Sequence, residues 1–522
     1  MEFDLGDALM SEEKNSIREM LSTATVDRLP EIIAKLAHVQ SETERSVYVN
    51  ELSKKLKISR RSIFKDIAAQ CGSKLHGKRE ENDRIALFPG LVDLVLDENN
   101  MVEFLVKNGD GIEVRNSHSI EGKVFFPPDP ASLPFMLPRA KSVLHYYKNS
   151  DKNLFSDVIT FCKRFSFLEF KQWLIIGTYV FLTYLSDHID VQYFPIVLFH
   201  AVPERGKSRT GRTITYISYR GIHVVDLRES NLFRYSGNLG ASLFFDIMDV
   251  WRKAEQRQSE DILLTRFERG SIVARVLYPE RGPFKDTAYF KNFGATVIAT
   301  NESIHKILGT RCIPLTMPNQ PGLYQNPTPE AGLELKERLT AWRAHFMNAA
   351  LPKVEPIDEI TGRLWDISVP LLQVCLMVAP EHYDELVDML LEVAGQKLED
   401  KKDSLEGFIV AALNELSPKD LGVPWELSTA AILDQFNQDR PEGFKKTPQW
   451  IGRKLKALGL ATSHTSGRSI VTLDKNQLDQ LLVQYGFVNL TANASNRNAE
   501  NAENAKNESN TGSYGNEDDV PF

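Results

Sequence analysis

Cysteine is scarce in this chain and never clustered. The four present, Cys71, Cys162, Cys312 and Cys375, stand far apart with no C-x-x-C pair. That excludes a zinc ribbon or disulfide framework and points to a reducing, cytoplasmic setting. Long hydrophobic runs are also missing. The longest, Trp173 to Leu185, is interrupted by Gly177, Thr178 and Thr183 and meets Asp187 soon after. A membrane-spanning helix needs about 20 apolar residues, so this stretch reads as a buried helix. No basic segment followed by an apolar one opens the chain, so no secretion signal is expected. Excess positive charge is absent too: 62 Lys and Arg face 70 Asp and Glu, a net of −8. A histone-like mass binder of nucleic acid is therefore disfavoured, while local basic faces remain open. What is left is an ordinary globular composition, 42% hydrophobic and 25% charged over 522 residues, enough for about three or four domains.

Hydrophobic periodicity divides the chain into segments. Residues 1–80 read as short helices. Val49, Leu52, Leu56 and Ile58 have helical spacing, and Ser59 can cap a helix with Ile63 and Ile67 inward and Arg60, Arg61 and Lys65 outward. Two helices joined by a short turn resemble a helix-turn-helix, a unit that binds DNA but also serves as spacer or protein dock. Residues 81–137 alternate around the Asp97-Glu98-Asn99-Asn100 turn and suggest a small β-containing unit ending in Pro127-Pro128. Residues 138–192 read as helices, and 193–330 switch to short strands alternating with helices, the signature of a parallel sheet with crossover helices. Helices return over 331–420.

Residues 421–475 place Leu427, Ala431, Ile432 and Phe436 on one helix face. A second helix carries Trp450, Ile451 and Leu455 inward and Arg453, Lys454 and Lys456 outward, followed by a Thr465-Ser466-Gly467 turn between strands. That order looks like a winged helix, placed near nucleic acid or serving as a structural cap. Residues 476–522 drift into Asn, Ala, Glu and Ser, too polar to fold, and end Asp518-Asp519-Val520-Pro521-Phe522.

The chemistry is concentrated in the 193–330 block. An apolar run, Phe194 to Phe199, leads into Ala201-Val202-Pro203-Glu204-Arg205-Gly206-Lys207-Ser208-Arg209 and then a helix. Strand, loop, Gly-Lys-Ser, helix is the layout of a phosphate-binding loop, in which backbone N–H groups at a helix N-terminus wrap an anion. Lys207 is placed to reach the outer phosphates of ATP, and the Ser208 hydroxyl to ligate Mg2+. The first glycine of that pattern is replaced by Ala201, which the loop tolerates if φ is negative there. A second strand, Ser242 to Phe245, ends in Asp246, where a carboxylate would stand beside Mg2+. The glutamate that usually follows and activates water is Ile247 here, with Asp249 or Glu255 as substitutes. A third strand ends in Ala299-Thr300-Asn301, offering an amide to orient water, and Arg311 opens a fourth.

The order Gly206-Lys207-Ser208, Asp246, Asn301, Arg311 resembles the AAA+ ATPases, in particular replicative helicases related to the minichromosome-maintenance proteins and encoded by bacterial mobile elements and phages. The resemblance covers Phe194 to Val378. It implies an α/β P-loop core, a parallel sheet with helices on both faces, flanked by a helical N-terminal domain and a winged-helix C-terminal domain. It makes Arg311 an arginine finger reaching a neighbouring subunit and Arg363 the lid arginine. Phe267 to Phe293 becomes a hairpin whose Arg275, Arg281 and Lys285 contact DNA. The tail is similar to the C-terminal tip of bacterial single-stranded-DNA-binding proteins, with Asp518, Asp519, Pro521 and Phe522 docking on host replication proteins. The expectation is an ATP- and Mg2+-dependent DNA helicase or translocase acting as a ring of six subunits. A replication initiator or loader with little hydrolysis is the alternative, because Ala201 and Ile247 depart from the pattern.

Overall fold

The computed structural model describes residues 20–25, 28–36, 39, 42–56, 58, 63, 83–302, 304–320, 322–418, 424–465 and 467–488. The chain divides into two compact units. In the smaller one, helix α1 (Leu29–Leu36) buries Ile32, Ile33 and Leu36, and α2 (Glu42–Leu56) buries Tyr48, Val49 and Leu52 in the same apolar cluster, joined by Ile63. Ser53 Oγ donates to the Ile58 carbonyl at 2.7 Å and closes the turn after α2. Arg60, Arg61 and Lys65 lie outside the described residues. Of the strands that follow, β1 (Leu91–Leu96) and most of β2 (Val102–Asn108) and β3 (Gly111–Arg115) belong to the larger unit, whereas β4 (His118–Ile120) and β5 (Lys123–Phe125), paired antiparallel, belong to the smaller one. The acidic turn forms because the Asp97 carboxylate accepts from the Asn99 and Met101 amides at 2.8 and 2.7 Å.

In the larger unit, helices α3 (Ala140–Tyr147), α4 (Leu154–Lys163) and α5 (Phe170–Thr183) lead into strand β6 (Ile196–His200). Helix α5 is buried along nearly its whole length, as its sequence requires. No helix among the described residues is long and apolar enough to cross a membrane. Then come α6 (Lys207–Ile217), β7 (Ile222–Val224), α7 (Glu229–Phe233), β8 (Leu243–Asp246), α8 (Val250–Gln256), α9 (Glu260–Thr265), the hairpin β9 (Ile272–Val276) and β10 (Thr287–Lys291), β11 (Thr296–Thr300), α10 (Lys306–Gly309) and β12 (Cys312–Thr316). Five of these strands form one parallel sheet in the order β12-β6-β11-β8-β7. Alternate residues of each strand enter different cores. Val197, Phe199, Phe244, Val297 and Ile313 pack with α4, α5 and α6. Ile196, Leu198, Phe245, Ile298 and Cys312 pack with α7, α8 and α9. Apolar residues at both parities are what a parallel sheet covered on two faces demands. Gly211 is fixed by this packing: a Cβ there would sit 2.2 Å from the Phe244 ring.

Helices α11 (Leu333–Phe346), α12 (Arg363–Val378), α13 (Tyr383–Lys402) and α14 (Leu405–Leu416) complete the helical layer. Arg343 on α11 is fully buried. It grips both Asp187 oxygens at 2.6 and 2.7 Å and the carbonyls of Leu91 and Val92, while Arg220 pairs with Asp93 at 2.7 Å. These contacts satisfy buried charges with partners from distant segments and anchor β1 on the core. The C-terminal elements are β13 (Trp425–Ser428), α15 (Thr429–Asn437), α16 (Pro448–Ala457), β14 (Ala461–Thr465), β15 (Arg468–Leu473) and α17 (Lys475–Gln484), with antiparallel sheet order β13-β15-β14. Ile432, Phe436, Ile451, Leu455 and Val471 share one core. Leu427, expected on a helix face, lies instead on β13 opposite Val471, because Ser428 caps α15 and stops the helix short of it.

Candidate nucleotide site

The segment 201–206 runs between the carboxyl end of β6 and α6, where open α/β sheets hold their ligands. Glu204 and Gly206 adopt left-handed conformations, φ 67° and 84°, and Ala201 is not among the positive-φ residues. The alanine therefore fits in place of glycine, and the left-handed turn begins three residues later, at Glu204. Alternating backbone handedness turns successive N–H groups toward one concavity, an anion nest at a helix N-terminus. Lys207 is buried and folds back over this loop, donating to the Ala201 and Val202 carbonyls, each at 2.7 Å. Burial pulls its pKa below the ordinary lysine value, with Asp246 opposing.

Asp246 ends β8, two strands away from β6, and its register opposite Ala299 brings it to the same edge. Ser208 Oγ donates to Asp246 Oδ1 at 2.9 Å, so the hydroxyl and carboxylate expected around Mg2+ already touch. The other oxygen, Oδ2, faces His223 Nε2 at 3.6 Å. His223 holds the Asp246 pKa below the usual carboxylate range, assisted by Ser208 against the opposing effect of burial. The His223 ring is stacked on Phe244 at 5.1 Å, and its Nε2 is buried without a hydrogen-bond partner. Nothing in the short run Ile222-His223-Val224 marks this residue; only the adjacency of β7 and β8 brings it to Asp246.

Lys207, Ser208 and Asp246 open into one cavity of about 1010 Å³. Its lining takes Pro203, Glu204, Arg205, Gly206, Lys207, Ser208 and Arg209 from the loop and helix, with Arg212, Asp246 and Asn301. Arg212, unmarked by any motif, adds a fourth cation to Arg205, Lys207 and Arg209 against the carboxylates Glu204 and Asp246. The balance suits a polyanion. The remaining wall is mixed, with the aromatic Phe165, Phe167 and Tyr324 beside polar Ser166, Asn319 and Gln320. Neither substitute for the missing glutamate lines the cavity. Asp249, left-handed at φ 51°, caps α8 by accepting from the Arg252 amide at 3.3 Å, and Glu255 accepts from Trp251 Nε1 at 2.6 Å. Ile247 is buried in the core beneath the sheet edge.

Arg311 and Arg363 lie at the other end of the strands. The Arg311 carbonyl accepts from the Ile196 amide at 3.1 Å, at the start of β6, whereas the loop follows its end. A five-residue strand spans about 16 Å at roughly 3.3 Å per residue. The Arg311 guanidinium rests 4.5 Å from the Phe267 ring centre and donates to the Ile307 carbonyl at 2.7 Å. Arg363 approaches the same ring at 5.9 Å and donates to Thr310 Oγ1 at 3.2 Å. Burial lowers the Arg311 pKa, and Arg363 lowers it further. Arg363, the expected lid arginine, thus sits beside Arg311, because α12 begins near the α10–β12 turn.

The hairpin expected before β11 is present, with β9 and β10 paired from Ile272 to Val276. Arg281 and Lys285 are exposed at its tip, Arg281 3.8 Å over Tyr278 and beside the fully exposed Phe284. Arg275, grouped with them from sequence, is committed elsewhere: it pairs with Glu229 and Asp261 and lies over Phe233. On α16, Arg453 is exposed, while Lys454 is held by Glu406 at 2.6 Å. Asp518, Asp519, Pro521 and Phe522 lie outside the described residues.

No family model matches the chain, and no curated protein matches it. Solved structures give distant similarities. The apo NrS-1 C-terminal region is 12% identical, with 74% of this chain and 97% of that one covered and a TM-score of 0.29. A structure titled "SCCmec type IV Cch - active helicase" is 13% identical over 72% and 79% of the two chains, TM-score 0.32. Drosophila ORC bound to DNA is 11% identical over 70% and 96%, TM-score 0.17. Scores this low carry no functional argument.

Proposed function

We propose that this protein is an ATP-dependent DNA helicase or translocase that serves replication of a mobile element or phage as an oligomeric AAA+ ring, with a hexamer the expected size. The observation that carries the reading is the convergence of Lys207, Ser208, Asp246 and Asn301 on one cationic cavity at the carboxyl edge of a parallel sheet. The backbone of residues 203–209 would hold the phosphates, with Lys207 leaving the Ala201 and Val202 carbonyls for the outer phosphate oxygens. A hydroxyl and one carboxylate fit Mg2+, which binds through few protein oxygens and completes its shell with phosphate and water. Bound there, the ion supplies charge neutralisation between the outer phosphates. Asn301 would orient the attacking water.

Arg311 and Arg363 cannot reach that cavity in their own chain, so they would serve the neighbour's nucleotide across a subunit boundary. This need for a second copy motivates the ring. Arg281 and Lys285 at the hairpin tip are the strongest candidates for gripping DNA, with Arg60, Arg61, Lys65, Arg453 and Lys454 as further contacts and the winged-helix-like C-terminal elements as their carrier. The acidic tail would recruit host replication proteins.

One observation favours the second reading, an initiator or loader with little hydrolysis: Ile247 is buried, and neither Asp249 nor Glu255, the expected substitutes for the water-activating glutamate, lines the cavity. Purified full-length protein separates the two. DNA-stimulated ATP turnover that Lys207→Ala abolishes supports the motor. Tight Mg·ATP and DNA binding without turnover supports the initiator, and absence of ATP binding removes both.

A further inference from the structure

Glu406, in the first turn of α14, holds two lysines from different parts of the fold. Lys454 Nζ on α16 donates to its Oε1 at 2.6 Å, and Lys306 Nζ on α10 donates to its Oε2 at 3.3 Å. Burial works to raise the Glu406 pKa, but the Lys454 hydrogen bond and the charges of both lysines pull it down to about 2. Lys454 belongs to the basic face of α16, on which Arg453 and Lys456 stay exposed. Helix α14 shares the apolar core of α16 through Ile409, Val410 and Leu413, so the Lys454 pair is internal to the C-terminal elements. Lys306 is different. It stands beside the parallel sheet with its side chain 76% exposed, and its pair with Glu406 is a weak, breakable tie across to those elements.

Residues 305–311 form a junction. His305 caps α10, and its ring stacks on Trp251 at 4.3 Å, within 3° of parallel. Trp251 lies five residues beyond Asp246 and His305 four beyond Asn301, and both of those residues line the cavity. Lys397 on α13 donates to the Gly309 carbonyl at 2.6 Å, and Arg363 on α12 to Thr310 Oγ1 at 3.2 Å. A displacement of Asp246 or Asn301 thus has a short route along the chain into α10, which meets the C-terminal elements through Lys306.

We propose that Glu406 is a shared counter-ion coupling the two sites: it competes with DNA phosphate for Lys454, and α10 sets the strength of that competition through Lys306. The proposal rests on the nucleotide and DNA readings above. A carboxylate beside an ammonium fills the place that a phosphate oxygen takes in a DNA contact. While Lys306 is engaged, it neutralises part of the Glu406 charge and loosens the hold on Lys454. When α10 withdraws Lys306, the whole charge falls on Lys454 and DNA is disfavoured. The coupling is reciprocal, so DNA on α16 favours the nucleotide state in which Lys306 is engaged.

The test is fluorescence anisotropy of short duplex DNA with full-length wild type, Glu406→Gln and Lys306→Met, each also made in a Lys454→Ala background. Titrations are run without nucleotide and with a non-hydrolysable Mg·ATP analogue. Glu406→Gln is expected to raise DNA affinity about two- to fivefold, the scale of one exposed ion pair, and Lys306→Met to lower it by a similar factor. The analogue should change wild-type affinity, and both single variants should lose that change. Both should still saturate with fluorescent nucleotide, the check on an intact fold. In Lys454→Ala neither substitution should have an effect, which separates a shared counter-ion from a plain change of net charge. Effects that persist in Lys454→Ala overturn the competition. Wild-type DNA affinity indifferent to the bound analogue overturns the coupling through α10. Failure of wild type to bind the analogue overturns the nucleotide reading, and the coupling with it.

Discussion

Two inactive variants of this protein should restore each other when mixed. Arg311 sits at the start of β12, about one five-residue strand, or roughly 16 Å, from the loop that ends in Lys207. Its guanidinium makes no ion pair among the described residues and shares the Phe267 ring with a second cation, Arg363. At that distance Arg311 does not serve the cavity of its own chain, and on the proposed reading each working site takes Lys207 from one subunit and Arg311 from the next. Lys207→Ala and Arg311→Ala should each lose most turnover, about 10³-fold or more for the arginine. In a random one-to-one mixture, a quarter of the head-to-tail interfaces receive both intact groups, so turnover should recover to about 25% of wild type if interfaces act independently. ATPase rates measured across mixing ratios, with size-exclusion chromatography to verify co-assembly, give the answer. A co-assembled mixture as inactive as its components, or an Arg311→Ala protein of normal activity, would refute the assignment across subunits.

Three further perturbations follow from the same structure. His223→Leu should reduce the gain in fluorescent-nucleotide affinity that Mg2+ confers, whereas His223→Gln, which keeps a donor for Asp246, should largely preserve it; loss of the gain in a ring-retaining His223→Phe as well would assign the effect to the nitrogen rather than to stacking on Phe244. At the hairpin, Phe284→Ala should weaken single-stranded DNA by about 1–3 kcal/mol if a base stacks there, and Arg281→Ala should lower the salt slope by about 0.7. Arg275→Ala should lower thermal stability more than DNA affinity, because Arg275 is paired with Glu229 and Asp261; the reverse pattern would place it on DNA after all. Finally, burial pulls the Lys336 pKa from 10.5 to about 8 while its ammonium donates to the Ser218 carbonyl. Between those values the unfolded chain binds more protons than the folded one, so this group makes stability rise with pH. Lys336→Met should flatten the rise in melting temperature across that window, and an unaltered slope would sink the argument.

The loop proposed to hold phosphate was legible because its residues are contiguous. Gly206, Lys207 and Ser208 must follow one another where a strand meets a helix, and the apolar run before them and the amphipathic helix after them are local patterns. Asp246 and Asn301 were legible for a related reason, each closing a short β-branched or aromatic strand. The hairpin before β11 was visible as a segment, but the fate of its charges was not. Arg275 and Arg281 are equivalent as sequence, yet one meets carboxylates from α7 and α9 and the other projects from the tip. Lys454 and Arg453 diverge in the same way, since Glu406 lies within reach of only one.

The sequence by itself determined the strand-loop-helix run around Gly206-Lys207-Ser208, because strand period and helix period are decided within a few residues of chain. It misled over Leu427 and over the helix at Lys475–Gln484. Tertiary structure alone decided which groups work together. Sheet order set His223 against Asp246 and turned Arg311 and Arg363 away from their own loop. Those relations depend on distances across the fold between residues tens to hundreds of positions apart, and no local pattern encodes them.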